Sequence, residues 1–330
     1  MTKSYETPST SHQYAEQVLA YAEQVLVQSE TILKDAVGIA FPETPDADPL
    51  QVFPKPTEVR AESPDILELT EEAKTALLCK ASELGFGRAE NVNLSEQGFT
   101  GATVIVEGGQ PHKMLAEARM VIDDVSAQPK SIIISASPHR EIKNEAEVAS
   151  SQRLFGRVGT TEYDVASDVA RALPGFIEYP EPRVLNAAYD INDNNKVFRE
   201  PTGQFQAVGE VNGTPVILMQ ISRRDLEGGK YDRQPGTAAV IGIVDEVTKA
   251  SGDETSPIVH VTSGTYRPSR TLGAALAGLS ANRLVGIATY GNDLLNKIKG
   301  DNATAPVSQL PGELHEMAAQ AAKLREALSS

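Results

Sequence analysis

Four apolar runs between residues 101 and 291 each end in a loop of small or hydroxyl residues, and a stretch with helical periodicity follows each one. The runs are "GATVIVEGG" (101–109), "KSIIISASPHR" (130–140), "PIVHVTSG" (257–264) and "RLVGIATYG" (283–291). The helical stretches are "PHKMLAEARMVIDDV", "NEAEVASSQRLFG", "PSRTLGAALAGLS" and "NDLLNKIKG". Val- and Ile-rich runs without polar alternation must be covered on both faces, and alternation with helices supplies that cover through a parallel sheet. Two further helices are expected, over "TEYDVASDVARALPGF" (161–176), capped by Thr160 or Thr161, and over "GTAAVIGIVDEVTKA" (236–250). Between about 177 and 234 the pattern breaks. There "QAVGEVNGTPVILMQI" carries Asn212-Gly213 between two strand-like runs, a strong hairpin signal, so an antiparallel insertion is expected.

The region before residue 65 reads differently. "YAEQVLA" is followed at once by "YAEQVLV" (14–27), which sets Tyr14, Val18, Tyr21, Val25 and Ile32 on one helical face. Two heptads are too few for a coiled coil, so the helix is expected to dock on the body or a partner subunit, or to stay a loose arm. "FPETPDADPLQVFPKPTEVRAESP" (41–64) is rich in proline and acid and reads as an extended linker. The expected organisation is therefore a helical and proline-rich segment, 1–64, and an α/β domain, 65–330, with its insertion at about 177–234. Within the domain, "LTEEAKTALLCKASELG" (69–85) reads as a helix starting at Thr70 and stopped by Gly85. The lone cysteine, Cys79, is expected on its apolar side. An alanine-rich amphipathic helix, "PGELHEMAAQAAKLREALSS", is expected over 311–330.

Charge bounds the partners. With 45 acidic against 30 basic residues and a formal charge of −15, the chain repels polyanions, which argues against nucleic acid and acidic membranes. No apolar run approaches the roughly 20 residues of a membrane span, and the first residues lack the apolar core of a signal peptide. A cytoplasmic globular protein is expected.

In a parallel sheet, ligands bind outside the carboxyl ends of the strands. Three such ends combine small or hydroxyl residues with a nearby cation, namely "EGGQPHK" (107–113), "SASPHR" (135–140) and "TSGTYRPSR" (262–270). Small residues let backbone amides approach a ligand, and each following helix adds free N–H groups and a positive dipole end. Gly108, Gly109, Ser135, Ser137, Thr262, Ser263 and Tyr266 are the candidate cradle. Lys113, Arg140, Arg267 and Arg270 are the candidate charges, arginine being suited to bidentate oxyanion contact. Glu107, ending an apolar strand, is the candidate general base, and Glu145 is a second carboxylate at a helix start. His112 and His139 follow prolines in loops, where exposed histidine is commonplace. Neither a P-loop nor a G-x-G-x-x-G fingerprint is present. "YDINDNNK" (189–196) lacks the sixth-position glycine and terminal glutamate of a calcium loop and reads as a turn. No metal site is expected. "SRRDLEGGKYDRQPG" (222–236) is the densest basic stretch, either a solvated loop or a lid over an anion.

The order of these pieces resembles the SanA/YdcF/ElyC-like bacterial family, a group of largely unassigned function. The matching pieces are "VIVEGG" with "AEARMVI", "IIISAS" with Glu145-Ala146, "TTEYDVA" (160–166) and "VTSGTYRPSR". The chain departs from the family where Ser135-Ala136-Ser137 lacks glycines, Asp164 stands for asparagine, Tyr266 for histidine and Lys113 for arginine. The resemblance implies a three-layer Rossmann-like α/β fold binding a small anionic or nucleotide-like ligand. S-adenosylmethionine and envelope-related roles are associated with the family, but the residues themselves name no cofactor.

Two functional classes follow. The first is a protein that binds a small phosphorylated or nucleotide-like anion at the strand ends, with an enzymatic step on that ligand left open. The second is a non-catalytic scaffold that forms homo-oligomers through the heptads 14–27 and the C-terminal helix.

Overall fold

The computed structural model describes residues 10–37, 69–86, 91–186, 190–193, 196–199, 205–221, 225–226, 230–231, 237–264, 267–300 and 310–330. The linker 41–64 and most of the basic stretch 222–236 lie outside these residues. In chain order the elements are α1 (Ser11–Val37), α2 (Glu71–Glu83), β1 (Thr103–Glu107), α3 (Pro111–Asp123), β2 (Ser131–Ala136), α4 (Glu145–Phe155), α5 (Glu162–Arg171) and β3 (Phe176–Asn186). Two short hairpins, β4 (Asp190–Asp193) with β5 (Lys196–Arg199) and β8 (Asp225–Leu226) with β9 (Lys230–Tyr231), flank the strands β6 (Phe205–Val211) and β7 (Thr214–Gln220). Then follow α6 (Thr237–Ala250), β10 (Ile258–Ser263), α7 (Arg267–Ala281), β11 (Val285–Tyr290), α8 (Asn292–Lys299) and α9 (Leu310–Ser329).

Seven strands form one sheet in the order β11-β10-β1-β2-β7-β6-β3. The first five of that order run parallel, and β6 and β3 continue antiparallel. The architecture is the expected three-layer, Rossmann-like α/β arrangement. The stretch 177–234 does more than insert: β7 pairs in parallel with β2, so "TPVILMQ" is part of the central sheet. The hairpin before it turns through Asn212 and Gly213, both at positive φ (52° and 80°), as a type I′ turn requires.

Strand alternation divides the core between the two faces. Val104, Val106, Ile132, Ile134, Val259 and Val261 pack toward α3 and α5. Ile105, Ile133, Ile217, Ile258 and Ile287 point the other way, into a cluster with Val240, Ile241 and Val244 of α6 and Ala274 of α7. Helix starts are locally encoded. Thr161 caps α5 in a reciprocal box: its hydroxyl accepts from Asp164 N at 3.3 Å and its own N–H donates to Asp164 Oδ2 at 2.8 Å. Such a cap contributes about 1 kcal/mol.

A further helical layer covers the outside of α7. Helix α1 packs on α7 and α9, so it docks on the body. Of the five residues expected on its docked face, Val18 and Val25 are buried and Tyr14 and Ile32 pack against the same cluster. Ala15, Val18, Ala22, Val25, Leu26 and Ser29 are buried, whereas Tyr21 is 38% exposed and donates its hydroxyl to Leu84 O at 2.8 Å. The two heptad alanines, Ala15 and Ala22, let the helices approach closely. Cys79 also departs from expectation, being exposed. In α2 the buried positions are Leu77 and Ala81, and a residue two places from Leu77 lies about 200° around the helix. No described helix is long and apolar enough to cross a membrane.

Two glycines test this packing in opposite directions. A Cβ on Gly286 of β11 would run into the ring of Phe99, so Gly286→Ala should cost about 1–3 kcal/mol. A Cβ on Gly242 of α6 meets nothing within 4 Å, so Gly242→Ala should stabilise by about 0.5–1 kcal/mol. Denaturant unfolding of the two variants reads both signs.

Candidate functional site

The chain enters the sheet at β1, steps to β2 on one side, and later returns to β10 on the other. The carboxyl ends of β1 and β10 therefore flank a topological switch point, where connections leave in opposite directions and open a crevice. Gly108, Gly109 and Gln110 lead from β1 into α3, and Ser263 and Gly264 begin the passage from β10 to α7. A Cβ added at Gly109 would have no atom within 4 Å, so the turn is open there.

Glu107 lies at the centre. It follows Ile105 by two places, so its side chain points to the α6/α7 face. There Thr237, the first residue of α6, donates its hydroxyl to Glu107 Oε1 at 3.0 Å, and Arg270 of α7 donates in turn to Thr237 Oγ1. His260, in register with Ile105 and fully buried, brings Nε2 to 3.0 Å from the same carboxylate oxygen. That contact has ion-pair distance without hydrogen-bond alignment, and Nδ1 has no hydrogen-bond partner among the described residues. Burial opposes ionisation of Glu107. It is outweighed by His260 and Arg270 alongside and by the Thr237 hydroxyl, which hold the carboxyl below its usual range.

A second carboxylate backs the first. Glu117 of α3, 7% exposed, accepts the backbone N–H of Glu107 on Oε2 at 3.1 Å. Burial and the neighbouring Glu107 charge push its pKa well above the usual value, with Lys113 and Arg270 drawing it only partly back. The two neighbouring carboxyls are thus pushed in opposite directions, Glu107 down and Glu117 up.

The other expected residues divide between this cluster and separate places. Lys113 and Arg270 act on Glu117 and Glu107, and Thr262 and Ser263 end the neighbouring strand. On the β2 side stands Glu162, 1% exposed, which accepts the N–H of Ser137 at 2.8 Å and pairs at 3.2 Å with Arg140. Arg140 also pairs with buried Glu147. Ser135 donates to Val106 O at 3.2 Å, and Ser137 accepts from His139 N. Gly108 bridges the two sides, since its Cβ would stand 2.7 Å from the Glu162 carboxyl carbon. Glu145 is exposed in the first turn of α4, and His112 Nδ1 lies 3.3 Å from Ser150 Oγ. Arg267 turns toward α1. It is the charge beside Tyr14, whose hydroxyl burial pushes up to about 12 and Arg267 draws partly back. Tyr266 lies outside the described residues.

Sequence reasoning missed Glu117, Thr237, His260 and Glu162. Two of them carried a signal. Glu117 falls among Met114, Ala118 and Val121 on an apolar face, and His260 interrupts the otherwise aliphatic "IVHV". Among the described residues no group of three or more His, Cys, Asp or Glu is arranged to hold a metal ion. A groove of about 360 Å³, lined by Val121, Val125, Gln128, Ile132 and Asn212 among others, lies at the amino-terminal end of the central strands, away from these carboxylates.

The glycine pair separates fold from site. Gly108→Ala should cost about 1–3 kcal/mol by pressing on Glu162 and Ser135 O, while Gly109→Ala should stay within about 0.5 kcal/mol of wild type in thermal unfolding. Glu107→Gln should cost about 1–3 kcal/mol at pH 7 by leaving its buried partners unanswered. Because the folded pKa of Glu107 is depressed, that stability is present above the unfolded value of about 4.3 and fades as pH falls below it. The difference between wild type and Glu107→Gln should therefore shrink in acid, as a pH series of unfolding curves would reveal. No family model matches the chain, nor does any curated protein or any solved structure, so the chemistry of this crevice rests on its own residues.

Proposed function

We propose that the protein binds a small anionic ligand, phosphorylated or nucleotide-like, in the crevice between the carboxyl ends of β1 and β10. The observation that carries this reading is the switch point itself. Two helices of full length, α3 and α7, begin there, the turn at Gly109 is open, and the cations Lys113 and Arg270 stand beside it. Free N–H groups and dipole ends favour an anion at such a place, and a guanidinium adds directional charge. On this reading Gly109 lends its backbone to the ligand, Thr262 and Ser263 line the β10 side, and Glu107 orients a ligand hydroxyl or a water.

An enzymatic step fits the same arrangement. Glu107 accepts a hydrogen bond from a ligand hydroxyl or a water, and burial favours the acid form of Glu117 beside it. The reading as an assembly scaffold draws less support. The apolar faces of α1 and α9, on which it depends, are already buried against each other and α7.

A thermal-shift panel of inorganic phosphate, nucleotides, sugar phosphates and S-adenosylmethionine tests the proposal. A ligand at about 100 times its dissociation constant should add roughly 2.7 kcal/mol. The shift should vanish in Gly109→Val, whose side chain fills the open turn, and in Arg270→Gln. It should persist in Arg267→Gln, because that guanidinium is turned toward Tyr14. A stabilising ligand that ignores both Gly109 and Arg270 would rule out this crevice.

A further inference from the structure

Thr237 stands between a carboxylate and a guanidinium. Its hydroxyl donates to Glu107 Oε1 at 3.0 Å and accepts from Arg270 Nη1. His260, fully buried, brings Nε2 to 3.0 Å from the same oxygen. The neighbours on the inner side of Glu107 thus converge on Oε1. The side chain is 27% exposed, and no described residue donates to its other oxygen, Oε2. Arg270 is half-buried and, among the described residues, commits only Nη1. An acceptor and a donor therefore stand open beside each other, separated by one threonine hydroxyl.

A carboxylate only accepts hydrogen bonds and a guanidinium only donates them. A bare oxyanion such as sulfate answers Arg270 and meets repulsion at Glu107. A ligand that answers both carries an oxyanion and, a few atoms away, a group with a hydrogen to give. An ammonium could give one, but Arg270 and Lys113 already set positive charge beside Glu107 and Glu117. A neutral hydroxyl meets no such repulsion.

We propose that the crevice selects a phosphate ester of a polyol: the phosphate pairs with Arg270, a hydroxyl on a neighbouring carbon donates to Glu107 Oε2, and Thr237 is the positioning residue that holds the two protein groups at that spacing. This rests on the reading of the crevice as an anion site and names its ligand class. Thr237 suits the task because one hydroxyl donates and accepts at once, and its β-branched side chain is stiff. It is 6% exposed at the first position of α6, so helix packing fixes where that hydroxyl sits.

Glycerol 3-phosphate, propyl phosphate and ethanolamine phosphate are the probes, titrated into the full chain by calorimetry at pH 7.5. The first two share chain length and phosphate and differ in their hydroxyls. Glycerol 3-phosphate should bind at least about tenfold tighter than propyl phosphate, since a site built to pair a hydroxyl rejects the analogue without it. Glu107→Gln, with a neutral acceptor, should cut that ratio to about threefold or less. Thr237→Val, which keeps the shape and loses both hydrogen bonds, should cut it likewise, and Thr237→Ser should restore it. Arg270→Gln should weaken both esters. Should Thr237→Val not fold, Glu107→Gln carries the test.

Equal affinity of wild type for the two esters, or an unchanged ratio in Glu107→Gln, would overturn the polyol class and leave the anion site standing. Tighter binding of ethanolamine phosphate than of glycerol 3-phosphate would overturn the choice of hydroxyl over ammonium. Failure of sulfate and all three esters to bind wild type would overturn the anion site and the polyol class together.

Discussion

Every helix that follows a strand in a parallel sheet starts with N–H groups that no helical carbonyl can reach, and those starts gather at one end of the sheet. In this protein buried glutamates take up N–H groups at that end, one at a helix start and two at strand ends. Glu313 accepts from Ser269 at the start of α7, Glu162 accepts from Ser137 after β2, and Glu117 accepts from Glu107 at the end of β1. The choice fixes the electrostatics of the whole end. Each carboxylate needs compensation once buried: Arg140 pairs with Glu162 and Glu147, Arg270 and His260 stand beside Glu107, and burial pushes the pKa of Glu117 up. The crevice is polar because the fold's own backbone must be satisfied there, and any ligand enters an environment already arranged for negative charge.

The fold is legible in the sequence because its signals are local. Aliphatic runs without alternation mark β1, β2, β10 and β11, Asn212-Gly213 marks the β6–β7 turn, and Thr70 and Thr161 mark helix starts that both carry side-chain caps. Where local signals are weak or two-sided, expectation and structure part. Heptad spacing places Tyr14, Val18, Val25 and Ile32 on the docked face as read, but not Tyr21, whose hydroxyl reaches Leu84 O instead. Residue type alone puts Cys79 on a buried face, whereas the helix angle sets it opposite Leu77.

The site is legible in part for a similar reason. Glu107, Gly109, Lys113 and Arg270 stand out because strand ends and helix starts can be read. What cannot be read is which strand end stands beside which. Ser137 and Arg140 look chemically like the rest of the cradle, yet they bind Glu162, whereas Ser135 stands in register with Glu107. Arg267 and Arg270, three residues apart, point to different neighbours, one to Tyr14 and one to Thr237. Partners drawn from remote segments, such as Glu117 for Glu107 and Glu313 for Ser269, depend on packing that no short motif records.

The strand order also dictates when during synthesis this crevice comes into being. Thr103–Val106 pair with β2 a few tens of residues later, but their other neighbours are Ile258–Val261 near the end of the chain. A ribosome must deliver β2, β7 and the hairpin strands long before β10 exists, so until then one edge of β1 has no β10 beside it, with Glu107 still short of His260 and Arg270. Loop closure over so many residues is costly and slow, which makes the β1–β10 seam a late event in folding. The seam that completes the crevice therefore closes only once β10 is made, and the half-buried Glu107 gains His260 and Arg270 as neighbours at that step.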